Sequence, residues 1–179
     1  MVSLTIQWVL LITLTYMVIR LYSLISKSQR RKTLIKSNDG FPSGGTYPFK
    51  TISTISSNKI SINQNSFKGT IIVGTSYGCD ACKSVYPVLS QFKNLFPEYQ
   101  LLNLSFTRKE DINELINEYS LHPETIALLH IKEMGNFGFE GFPFAYLVSS
   151  QGKILQKGLV NTKNDFDLLV SFSETKRVS

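Results

Sequence analysis

The chain holds two cysteines, Cys79 and Cys82, within the stretch "TSYGCDACKSVYP" at 75–87. Three chemistries compete for such a pair. A zinc site asks for four ligands, and the two histidines, His122 and His130, are separated by seven residues, outside the usual spacing of three to five. A purely structural disulfide across so short a loop removes little entropy from the unfolded chain. Thiol–disulfide exchange needs only the two sulfurs. Cys79 attacks a substrate disulfide, or accepts one, and Cys82 resolves the mixed disulfide. No metal and no small-molecule cofactor is required, because electrons pass through another dithiol.

Such a pair works best at the start of a helix, where unpaired N–H groups and the positive dipole end favour a thiolate. The surrounding sequence supplies that setting. "GTIIVGT" is a short β-branched run typical of a buried strand, and "DACKSVYPVLSQFKNLF" spaces Val85, Val88, Leu89, Phe92 and Phe96 as a helix does. "YQLLNLSF" reads as a second buried strand, and "RKEDINELINEY" as an amphipathic helix with Ile112, Leu115 and Ile116 inward. "TIALLHI" fits strand and helix alike. Upstream, "FKTISTI" and "NKISI" alternate around "SSN" as a β-hairpin would. Downstream, "FAYLVSS" and "KILQKGLV" form another hairpin, and Thr162 is a good N-cap for a closing helix over "TKNDFDLLVSF". The expected fold is α/β: a mixed sheet with helices on both faces and an N-terminal β-hairpin. Pro143 opens the "FAYLV" strand, a position where proline can be cis. The neighbouring Phe137, Phe139, Phe144 and Tyr146 read as core, while Phe142 and Tyr77 are expected to line a substrate groove.

The N-terminus is of another kind. From Val2 to Ile19 no side chain is charged, and apolar character continues past Arg20 to Ile25. That is long enough for one transmembrane helix, which needs about 20 residues. A cleaved signal peptide fits less well, since no basic segment precedes the run and no small-x-small site follows. The expected organisation is an anchor at 1–26, a basic then Gly/Ser/Pro-rich tether at 27–47, and a domain at 48–179. The net charge of +6 resides in Arg20, Lys27, Arg30, Arg31, Lys32 and Lys36. Beyond them the charges cancel, which argues against a nucleic-acid partner.

The anchor, the hairpin, the CxxC pair and the Pro143 strand together resemble the membrane-tethered TlpA-like branch of the thioredoxin superfamily. "FAYLVSSQGKILQKGLVNTKNDFDLL" resembles the closing segment of MauD-like proteins of methylamine-utilisation clusters, "GLVNT" before a helix being the most specific part. The resemblance implies a thioredoxin-like fold in which a cis-Pro143 faces the CxxC and the backbone of Phe142 pairs with the substrate chain. It carries over Cys79, Cys82, Pro143 and also Pro87, where thioredoxins bend the helix. It further implies disulfide exchange with a cysteine-containing exported protein or peptide, alongside a membrane redox partner.

Several residues depart from the thioredoxin pattern. Tyr77-Gly78 stands where a tryptophan is usual before the first cysteine, and the inner dipeptide is Asp80-Ala81, without proline. An acidic Asp80 disfavours the Cys79 thiolate and should make the disulfide less oxidising. Val73 and Val85 occupy places where relatives keep a carboxylate, leaving Asp80 or water as proton acceptor. The leading expectation is a single-pass membrane oxidoreductase with its domain outside the cytoplasm, although cations after the span argue for the cytoplasmic side. The alternative is a non-catalytic adaptor holding a membrane partner.

Overall fold

The computed structural model describes residues 2–28, 34 and 39–175. The chain divides into two compact units, with the boundary between residues 32 and 33. The first contains helix α1 (Val2–Ser28), whose stretch Ile6–Leu24 is long and apolar enough to cross a membrane. The cations at 30, 31, 32 and 36 lie outside the described residues.

In the second unit, β1 (Thr51–Ser53) and β2 (Lys59–Ser61) form the expected hairpin, as a separate antiparallel pair. The main sheet contains β3 (Gly69–Thr75), β4 (Tyr99–Phe106), β5 (Ile126–Leu129), β6 (Phe144–Ser149) and β7 (Ile154–Leu159), in the order β5-β4-β3-β6-β7. The pairs β3–β4 and β4–β5 are parallel, and β3–β6 and β6–β7 antiparallel. Thus the centre of the ambiguous "TIALLHI" segment, Ile126–Leu129, is a strand. The central position of β3 follows from its composition: all seven residues are buried, which suits a β-branched run with no polar face.

Alternation divides the core in two. Ile71, Val73, Leu101, Ala145 and Leu147 face one side, Ile72, Leu102, Leu104, Tyr146 and Val148 the other. The first side carries the α-helices: α2 (Tyr86–Ser90), α3 (Phe92–Leu95), α4 (Ile112–Tyr119) and α5 (Lys163–Thr175). Two successive parallel crossovers step in the same direction across the sheet, so right-handed connections put both on one face. The second side is covered by Ile52 and Ile60 of the hairpin and by a 3₁₀ segment, Ile131–Phe137. Both faces carry helical structure as expected, but only one carries α-helix.

Two expectations need correction. The helix read after the cysteines is broken: Asp80–Ser84 is 3₁₀, and α-helix restarts at Tyr86. Pro87 explains the break, because it has no N–H to give the carbonyl of Lys83, yet it is tolerated in the first turn of a new helix. The tether was expected to run to residue 47. Instead residues 40–47 form a strap on the domain: Gly44 N–H donates to the Ile154 carbonyl at 2.7 Å, Tyr47 N–H to Gly152 at 2.9 Å, and Tyr47 is buried. Gly40 is required here. Its φ is +74°, and a Cβ would lie 1.9 Å from the Tyr146 hydroxyl.

Candidate active site

Strand β3 ends at Thr75, and the chain turns over Ser76–Gly78 to bring Cys79 to the start of the 3₁₀ segment. The Ser76 carbonyl fixes this turn. It accepts the Cys79 N–H at 3.1 Å and the Tyr86 hydroxyl at 3.0 Å. Tyr77 is tied to β4's end, its N–H donating to Thr107 Oγ1 at 3.1 Å. Cys79 is partly exposed and Cys82 fully buried, and both are free thiols. Cys79 is thus the accessible sulfur and Cys82 the covered one. The helix dipole behind Cys79 is that of one 3₁₀ turn, so it contributes less than the long helix read from the sequence.

Pro143 is buried and follows a cis peptide bond from Phe142, as its position suggested. Cys79 Sγ lies 3.8 Å from the Phe142 carbonyl oxygen. The Phe142 ring is stacked on Phe106 at 5.2 Å between centroids. Thus three predicted site residues, Cys79, Phe142 and Pro143, converge. Tyr77 is half-buried and packed against the first core cluster, and a hydrogen bond with Glu114 of α4 raises its phenol above the ordinary range. Phe137, Phe139, Phe144 and Tyr146 are buried, as read.

Electrostatics separate the inner residues. Burial first, then the hydrogen bond with Cys79, pushes the Cys82 thiol far above the ordinary cysteine range. Asp80 behaves otherwise than the sequence implied. Its side chain is 93% exposed and pairs with Lys83 at 2.7 Å, which holds its carboxyl below the usual range. Asp80 is therefore a weakened base, paired with Lys83 and turned to solvent. Ala81 is exposed and adds no polar group. Val73 and Val85 are fully buried and apolar, as their identities require.

Sequence reasoning missed the polar groups beneath this turn. Thr75, Asn103 and Ser105 are all buried, and Val73 pairs in register with Asn103, Thr75 with Ser105. Thr75 Oγ1 donates to Asn103 Oδ1 at 2.9 Å. Their only signal was polar residues alternating inside an apolar strand, "LLNLSF".

No protein-family model matches the sequence, and no curated protein matches it. Solved structures do match. The thioredoxin domain of a thiol-disulfide oxidoreductase from Bacteroides vulgatus superposes with a TM-score of 0.61 at 23% identity, covering 74% of this chain and 99% of that one. A thiol:disulfide interchange protein from Bacteroides sp. gives 0.60 at 23% identity, over 75% and 91%. The fold is thioredoxin-like. StoA from Bacillus subtilis shares it at a TM-score of 0.54 and 20% identity, over 66% of this chain and 93% of that one. Within the thioredoxin-like fold the β1–β2 hairpin and the strap precede the first strand of the main sheet, and β3 carries the two cysteines from its C-terminal end.

Among the described residues no cluster of three or more His, Cys, Asp or Glu side chains is placed to hold a metal ion. The arrangement instead offers one accessible sulfur, a second sulfur behind it and a backbone carbonyl beside the first.

Proposed function

We propose that the chain is a membrane-anchored thiol–disulfide oxidoreductase of the MauD/TlpA type, exchanging disulfides with a cysteine-containing exported protein or peptide. The observation that supports this best is the partly exposed Cys79 against the Phe142 carbonyl, with Cys82 buried behind it. In the reducing direction, the Cys79 thiolate attacks a substrate disulfide. A Cys79–substrate S–S bond forms, and the first substrate sulfur leaves with the electron pair and takes a proton. Cys82 then loses its proton and attacks Cys79. The internal disulfide forms, the second substrate sulfur leaves, and the chain has given two electrons. The oxidising direction runs the same steps backward. The cis-Pro143 loop orients the substrate, and Phe142 and Tyr77 flank it. A membrane dithiol protein restores the working redox state.

The test is a pair of substitutions. Cys79→Ser should abolish turnover of a disulfide-bonded peptide, and Cys82→Ser should accumulate a mixed disulfide that reductant releases. Turnover equal to the parent's in both variants would sink the reading and favour the adaptor role.

A further inference from the structure

Cys82 is fully buried, so the proton it must lose when it attacks the mixed disulfide has no direct route to solvent. Around it Val73 and Val85 accept nothing, and the Asp80 carboxylate is turned outward to Lys83. The ionisable groups close by are Cys79 in the same turn, Tyr86 on α2 and Tyr119 of α4, whose ring packs on Tyr86 at 4.7 Å. None is a carboxylate.

What the fold does place there is a set of neutral polar groups. The Ser76 carbonyl, which holds the Cys79 N–H, also accepts the Tyr86 hydroxyl. Beside it, Thr75 Oγ1 donates to Asn103 Oδ1 at 2.9 Å. Asn103 Nδ2 is buried and has no hydrogen-bond partner among the described residues. Exchanging the two ends of the amide moves the orphan from nitrogen to oxygen but does not remove it. Buried amides are kept when something satisfies them, and in a polar niche that is commonly a water with two or more partners. The register places Asn103 beside Val73, on the sheet face that supports the cysteine turn.

We propose that Asn103, held by Thr75, is a positioning residue that fixes a buried water as the proton acceptor for Cys82. This rests on the exchange reaction proposed above. The Cys82 S–H bond breaks and its proton passes to that water. The Cys82 sulfur bonds to Cys79, the Cys79–substrate bond breaks, and the departing substrate sulfur keeps the electron pair. The proton then moves through the water to that sulfur or to solvent, so no charge remains in the core.

The experiment separates the two chemical steps. The reduced full chain, in detergent, is mixed with a disulfide-bonded peptide, quenched in acid at intervals, and the mixed disulfide is counted by mass spectrometry. In Asn103→Leu, attack by Cys79 should stay within about twofold of the parent while resolution slows by about tenfold or more, so the mixed disulfide accumulates. Thr75→Val should slow resolution in the same direction. Asn103→Asp should restore it, with a rate that rises as the new carboxylate ionises. Circular dichroism and melting temperature establish that each variant folds, and if Asn103→Leu does not, Thr75→Val and Asn103→Asp carry the test. Resolution at the parent rate in folded Thr75→Val or Asn103→Leu would overturn the assignment. So would an Asn103→Asp variant whose resolution is independent of pH. Failure of the parent itself to form a mixed disulfide would instead overturn the exchange reaction, whatever Asn103 does.

Discussion

At Cys82, burial and the hydrogen bond with Cys79 both oppose the thiolate, whereas Cys79 keeps part of its surface in solvent. Alkylation of the reduced, native chain at neutral pH should therefore label one thiol, on Cys79, and label both only after denaturation. Peptide mapping checks this. The same burial makes stability depend on pH. An unfolded cysteine releases its proton near about pH 8.5, while folded Cys82 retains its own to higher pH. Over that interval the folded state binds more protons, so stability falls as pH rises. The contribution of Cys82 is complete below about pH 8.5 and is lost above it. Tyr146, pushed up to about 12 mainly by burial, adds a second loss that begins near about pH 10, where unfolded tyrosine ionises. Urea midpoints of the reduced chain should decline in both intervals. Cys82→Ser should flatten the first decline and leave the second, and an unchanged first decline would mean that Cys82 is not its cause.

The strap at 40–47 is the element that most changes the organisation read from the sequence. Phe41 packs edge-on against Tyr47 at 5.6 Å, and the Tyr47 ring lies 5.7 Å from Tyr146. The Tyr47 hydroxyl donates to the Phe137 carbonyl at 3.3 Å, and the Ile154 N–H returns to Gly45 at 2.8 Å. A domain begun at Pro48 loses all of this, whereas one begun at Asp39 retains it. The shorter chain should be less stable by at least about 3 kcal/mol, the scale of deleting one buried aromatic side chain. Chemical denaturation of the two truncations measures the difference, and equal stabilities would return residues 40–47 to the tether. The strap could not be read from the sequence because its Gly, Ser and Pro content is that of a linker, while its partners, Phe137, Tyr146, Gly152 and Ile154, lie about ninety residues or more away along the chain. The strands were legible because β3 and β4 are continuous apolar runs that only a buried sheet accommodates. The 3₁₀ segment after His130 left one local trace. His130 Nδ1 accepts the Lys132 N–H, and Glu133 accepts the His130 N–H, a reciprocal cap visible as H-x-x-E. Of the candidate site, the cysteines and Pro143 announce themselves by spacing, but Asn103 becomes meaningful only through its register with Val73.

For the whole molecule, the proposed anchoring makes a definite demand on the side of the membrane where the domain would lie. Helix α1 is suited to lipid beyond its apolar composition. Thr13, Thr15 and Ser23 return their hydroxyls to carbonyls of the preceding turn, so these polar groups are satisfied within the helix. At about 1.5 Å per residue, its 27 residues exceed the roughly 30 Å of a hydrocarbon core. Two physical arguments then point in opposite directions. Cations gathered after the span favour a cytoplasmic domain. A disulfide exchanger acting on exported proteins belongs outside, because the glutathione and thioredoxin of the cytosol keep thiols reduced. The proposed function decides for the outside, and this is checked in intact cells. After mild reduction, a membrane-impermeant maleimide should label Cys79 without permeabilisation, and Cys79→Ser should abolish the signal. Labelling that appears only once the membrane is opened would put the domain in the cytoplasm. There the charge rule would be obeyed, and the substrate would have to be a protein of the cytosol rather than an exported one.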